Sequence, residues 1–144
     1  MTSRIHRSLV ALTALLGALV SACAKTPTVP DASPTTQTQT YTGQLVVGGS
    51  QFYSFSTVAT GTTDITLTGL RPLNTPNAPF SVSIGMGLGT PQGTDCALSS
   101  AITTRPALAK QLSVSTGIST YCVKIADVGQ LTGPVEYTVR VVHP

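Results

Sequence analysis

The chain has 144 residues, eight Lys and Arg against five Asp and Glu, and only 9% charged side chains. Arg4 and Arg7 lie at the start; after them six basic residues face five acidic ones, which gives no electrostatic footprint for nucleic acid. There is no Trp, and His143 is the one histidine after position 22, which leaves little for zinc or triad chemistry.

Arg4, His6 and Arg7 precede the almost wholly apolar stretch Leu9 to Val20, and Ser21 and Ala22 supply the small residues of a cleavage site. At about 12 residues the stretch is too short for the roughly 20 that a spanning helix needs. Leu19-Val20-Ser21-Ala22-Cys23 resembles a bacterial lipobox. The resemblance implies a signal peptide over 1–22 and a lipoprotein that begins at Cys23, with palmitate-type chains on it. Two or three such chains hold a protein to a membrane with negligible release. Ala24 follows the cysteine where inner-membrane lipoproteins have Asp, so the resemblance implies the outer membrane of a Gram-negative envelope. In a Gram-positive cell it implies the outer face of the cell membrane.

Residues 23–40 read as a tether. The segment from Ala24 to Thr40 carries three prolines, and Val29 is its one sizeable apolar residue, too little to form a core. As a flexible coil it reaches roughly 25 Å.

From residue 41 to 144 the pattern has period two, the mark of half-buried strands. Tyr41, Gly43, Leu45 and Val47 alternate with polar or small neighbours, then Tyr53 and Phe55 share a face, and Ile65 and Leu67 alternate with Thr66 and Thr68. Phe80, Val82, Ile84, Met86 and Leu88 form the clearest stripe, against Ser81, Ser83, Gly85 and Gly87. Leu112 and Val114 follow, then Tyr121, Val123 and Ile125, then Val135, Tyr137, Val139 and Val141. Seven to eight short strands with turn residues between them predict an antiparallel, jelly-roll-like β-sandwich. Gly48-Gly49-Ser50 is a hairpin signal, and Thr116-Gly117 and Gly133-Pro134 punctuate the later strands. The stretch from Gly89 to Pro106 has no strand pattern and is expected to be a long loop.

With Cys23 committed to lipid, Cys96 and Cys122 remain, and in an oxidising compartment a disulfide is the expectation. Alternation places Cys122 on the face opposite Tyr121, Val123 and Ile125, so the bridge should lash the 89–106 segment over the outer side of the sheet.

Gly49-Ser50-Gln51-Phe52-Tyr53-Ser54-Phe55 resembles the opening of bacterial pre-peptidase C-terminal domains, with a glycine turn before a strand of alternating aromatics. The run from Gly117 to Ile125, then Asp127-Val128-Gly129 and Tyr137-Thr138-Val139, resembles their later segments. The resemblance spans residues 41–142 and implies a non-catalytic β-sandwich. Some members of that family bind calcium or matrix polymers. This chain lacks the acidic cluster before the first strand that the calcium-binding members carry, having only Asp31 there.

His143, beside the end of the sequence, is expected to be too mobile to serve as a base. The five carboxylates show no DxD or ExxE spacing. Asp127, at the end of a strand and before Gly129, reads either as a calcium contact or as an Asx turn; Asp64, after Gly61-Thr62-Thr63, has the same two readings. Gly85-Met86-Gly87-Leu88-Gly89 follows a strand pattern without a helix after it, so it lacks the amide nest of a phosphate loop. Its glycines instead relieve crowding or admit another surface. The expectation is a membrane-anchored, non-catalytic module at the cell envelope that binds a protein or polysaccharide, with a structural or assembly subunit as the alternative.

Overall fold

Branched side chains at alternate positions favour a pleated backbone. The computed structural model describes residues 35–74 and 81–144, and among these every regular element is a strand. The strands are β1 (Gln37–Leu45), β2 (Ser50–Thr57), β3 (Gly61–Pro72), β4 (Ile84–Gln92), β5 (Asp95–Thr104), β6 (Leu112–Thr116), β7 (Ser119–Ala126) and β8 (Val135–His143). They form two four-stranded sheets, in the orders β1-β8-β3-β6 and β2-β7-β4-β5, with every pairing antiparallel. This is the all-β sandwich expected from the sequence, in jelly-roll order.

The core lies between the sheets and follows residue parity. On β8, Val135, Tyr137, Val139 and Val141 point inward and are at most 1% exposed, while Arg140 on the other parity is exposed. On β4, Ile84, Met86 and Leu88 point inward in the same way. Phe55, Ile65, Leu67, Leu112, Val123 and Ile125 complete the contact between the sheets.

Three local expectations are corrected. β1 begins at Gln37 and pairs from there with His143, so residues 37–40 belong to the sandwich and not to the tether. Gly48-Gly49-Ser50 is a tight turn, closed by Gly49 N–H on the Val46 carbonyl at 2.9 Å, but it does not make a hairpin. It carries the chain from the first sheet to the second, because β1 pairs with β8 and β2 with β7. The segment from Gly89 to Pro106 is not a loop. It holds the end of β4 and all of β5, joined in a hairpin that turns at Gly93, φ +60°.

On one flank the unpaired edges of β1 and β2 face each other, and tyrosines close the gap. Tyr41 and Tyr53 stack with ring centroids 4.6 Å apart. The Tyr53 hydroxyl donates to the Thr42 carbonyl at 3.1 Å, which leaves the Tyr137 hydroxyl to donate to Tyr53 at 2.8 Å. Gly43 makes room for this pair: a Cβ there would collide with Tyr53 Oη and come within 2.6 Å of Tyr137 Oη. Edge carbonyls bonded in this way are poor templates for a further strand.

Candidate functional site

The most distinctive surface follows from one alternating run. Because Ile84, Met86 and Leu88 of β4 face the core, Gly85, Gly87 and Gly89 face outward and give the middle of the β2-β7-β4-β5 sheet no side chains. Residues on either side lean over this floor. A Cβ on Gly87 would lie 3.0 Å from both Leu98 methyl groups, and one on Gly85 would lie 3.1 Å from Val128 Cγ1. Between them lies a groove of about 420 Å³, flanked by Leu98, Ala101 and Thr103 of β5, Lys124 and Ala126 of β7, and Val128. Leu98 is 45% exposed and Val128 43%. Apolar side chains left this open around a concave floor are typical of a contact surface for a partner.

The disulfide shapes one end of the groove. Cys96 and Cys122 are bridged with Cα atoms 5.9 Å apart, and both are buried on the outer side of the sheet. β4 stops pairing with β7 at Gly89, opposite Cys122. There a bulge, between Leu88 and Gly89, displaces the β4–β5 hairpin. A Cβ on Gly89 would collide with the Ala97 carbonyl, so the close return of β5 requires glycine. Asp95, beside the bridge, meets Lys124 Nζ at 2.7 Å. The Lys124 bond, helped by the Cys96 N–H, holds the Asp95 carboxyl below its ordinary range. The expected placement of the bridge over the outer face is what the structure has.

Asp127 ties together the other end. Its Oδ2 accepts a bond from Gly48 N–H at 2.8 Å, and its Oδ1 accepts from the N–H groups of Gly129, Gln130 and Leu131 at 2.9–3.2 Å. Its own N–H donates to the Gly49 carbonyl at 3.0 Å. The Gly48 bond draws the carboxyl below its ordinary range; burial opposes it, and the bonds from Leu131, Gln130 and Gly129 add to the lowering. Four amide donors around one carboxylate form a nest suited to negative charge. The arrangement is the Asx-turn reading of Asp127, extended across two loops. Among the described residues no group of three or more His, Cys, Asp or Glu converges on a metal-sized site.

The other polar candidates are dispersed. Asp64 lies within β3 and receives Lys110 Nζ at 2.9 Å and Ser113 Oγ at 2.6 Å. Burial pulls its carboxyl up, but those two bonds outweigh it and hold it low. Glu136 pairs with Arg71 at 2.7 Å.

His143 is corrected. It continues the inward parity of β8, is fully buried, and packs on Phe55 with ring centroids 4.9 Å apart. Its Nδ1 lies 3.1 Å from the Pro144 carbonyl, and its Nε2 has no hydrogen-bond partner among the described residues. Neither ring nitrogen meets a hydroxyl, carboxylate or thiol among the described residues.

Of the tyrosines, Tyr137 is buried, and Tyr41, Tyr53 and Tyr121 are partly buried against the core. Burial raises the Tyr41 phenol, and burial together with the bond to Tyr53 pushes the Tyr137 phenol up. They are structural and do not make an open stacking platform. Cys23, Asp31 and Phe80 lie outside the described residues.

The groove is only half legible in the sequence. Outward glycines in Gly85-Met86-Gly87-Leu88-Gly89 signal a place where another surface can approach, but one wall comes from β5, which has no strand signature, and the other from β7 and Val128. No protein-family model matches this chain, and no curated protein is similar to it.

Proposed function

We propose that this protein is a non-catalytic binding module of the bacterial cell envelope, held to the membrane by lipid on Cys23, whose glycine-floored groove receives an apolar segment of another envelope protein. The observation that carries the reading is the groove itself, with a bare backbone floor between Leu98 and Val128. Its lining favours a protein over a polysaccharide, because no aromatic ring lines it for a sugar to stack on. The dispersed and paired carboxylates support a role without catalysis. The likeness of Gly49–Phe55, Gly117–Ile125 and Tyr137–Val139 to pre-peptidase C-terminal domains points the same way, since those modules accompany enzymes without being enzymes. The lipobox-like Val20-Ser21-Ala22-Cys23 supports the anchor and an outer-membrane address.

Leu98→Asp and Val128→Asp test the reading. Both side chains are half-exposed, so each variant should melt close to the wild type. Retention of envelope proteins on the immobilised full chain should fall at least about tenfold, the effect of placing a charge in an apolar contact. Unchanged retention by both variants would refute the groove as the site. Stoichiometric partners that co-purify irrespective of these changes would favour the assembly-subunit alternative.

A further inference from the structure

β1 begins at one particular end of the sandwich. Gln37, the first residue of β1, pairs with His143. His143 packs on Phe55, and Thr57 two residues later pairs with Ser119. Gly61 pairs with Thr116, and a Cβ on Gly61 would lie 2.6 Å from Pro144 Cγ. The start of β1, the β2–β3 turn, the β6–β7 turn and the end of β8 are therefore neighbours.

At this same end two large apolar side chains stand in solvent. Val58, in the β2–β3 turn, is 66% exposed, and Ile118, in the β6–β7 turn, is 71% exposed. The two turns are fastened to each other: the Thr57 hydroxyl donates to the Gly117 carbonyl and accepts from Ser119 N–H at 3.1 Å. None of residues 57–62 or 116–119 is charged. Isolated exposed apolar residues are ordinary. Two of them on fastened, uncharged turns beside the start of β1 form a small apolar prow.

We propose that this end docks on the lipid bilayer, with Val58 and Ile118 entering the headgroup–acyl boundary. The inference rests on the anchored reading above. Thirteen residues separate Cys23 from Gln37, and a chain of that length spans at most about 45 Å. A surface held that close to lipid binds at a high effective concentration, so two modest side chains suffice where a free domain would need many. Docking by this end leaves the opposite end outermost. That end holds the Asp127-bonded loops and the exposed Val46, Val47 and Val128, and Val128 is itself a wall of the groove.

The chain contains no tryptophan, so a single substitution gives a clean reporter. Val58→Trp, Ile118→Trp and, at the opposite end, Val46→Trp are purified from membranes as the full lipidated chain. Each is reconstituted into phosphatidylethanolamine–phosphatidylglycerol vesicles with and without bromine on the acyl chains. Flotation of each variant with and without Cys23→Ser reports the anchor separately. The proposal expects Cys23-dependent flotation and about twofold loss of emission with brominated lipid at positions 58 and 118 but not 46. Flotation with no quenching at 58 and 118 overturns the docking and leaves the anchor standing. Blue-shifted but unquenched emission there also overturns it, since protein, such as a second copy, then covers the turns. No flotation overturns both readings.

Discussion

Replacing both Cys96 and Cys122 with Ala removes a bridge that fastens the β4–β5 hairpin to β7. The cysteines are 26 residues apart, for which chain entropy assigns about 3.5 kcal/mol at 25 °C. Few other contacts oppose release of the hairpin tip, because β4 leaves β7 at Gly89 and the Asp95–Lys124 ion pair is largely solvent-exposed on the Asp95 side. For about 100 ordered residues the unfolding entropy is about 0.2 kcal/mol/K, so the loss corresponds to a Tm lowered by about 17 °C. Thermal melts of wild type, wild type in reductant, and the double variant should place the last two together, well below the first. Hydrogen exchange should rise first in Gln92–Ala97. A double variant melting within about 5 °C of wild type would refute the reasoning, because the bridge would then be closing a segment already held by other contacts.

Burial and the bond to Tyr53 raise the Tyr137 phenol above its ordinary 10.0. Its contribution is therefore complete below pH 10.0 and is lost as pH rises beyond it, where the unfolded chain gives up a proton that the folded chain keeps. Tyr137→Phe should cost about 1 kcal/mol at pH 7 for the lost bond and move the alkaline unfolding upward; an alkaline transition identical to wild type would count against this. His143→Leu removes a buried Nε2 without a partner and should raise stability by about 1 kcal/mol in chemical denaturation; a clear loss would show that the ring holds the end of β8. Calcium should leave the melting temperature unchanged, since four amide donors surround the Asp127 carboxylate. A saturable rise that disappears in Asp127→Asn would overturn that account of the site.

Much of the architecture can be read from residue parity. β8 shows it best, because Val135, Tyr137, Val139 and Val141 all face the core, and the same parity reaches His143, whose burial was thus available as a signal. Cys122 is placed outward by the same argument. Parity fails at β5. Its bulge near Ser99 shifts the alternation, so Leu98 and Ala101 both face outward, and as an edge strand it has little buried surface to impose a pattern. Gly48-Gly49 misleads for a different reason. Local turn chemistry specifies a reversal, while the choice of partner for β2 depends on β7, about 70 residues along the chain. The groove inherits both difficulties, because its floor is local to β4 and its walls depend on distant pairing.

The most direct test of the central claim is a photo-crosslinking side chain at Leu98 in living cells, with the same probe at the off-site, almost fully exposed Leu108 as control. The account predicts a discrete protein adduct from position 98, lost on Val128→Asp and on Cys23→Ser, and none from position 108. No adduct at 98, or the same adducts from both positions, would contradict an anchored module that binds through its groove.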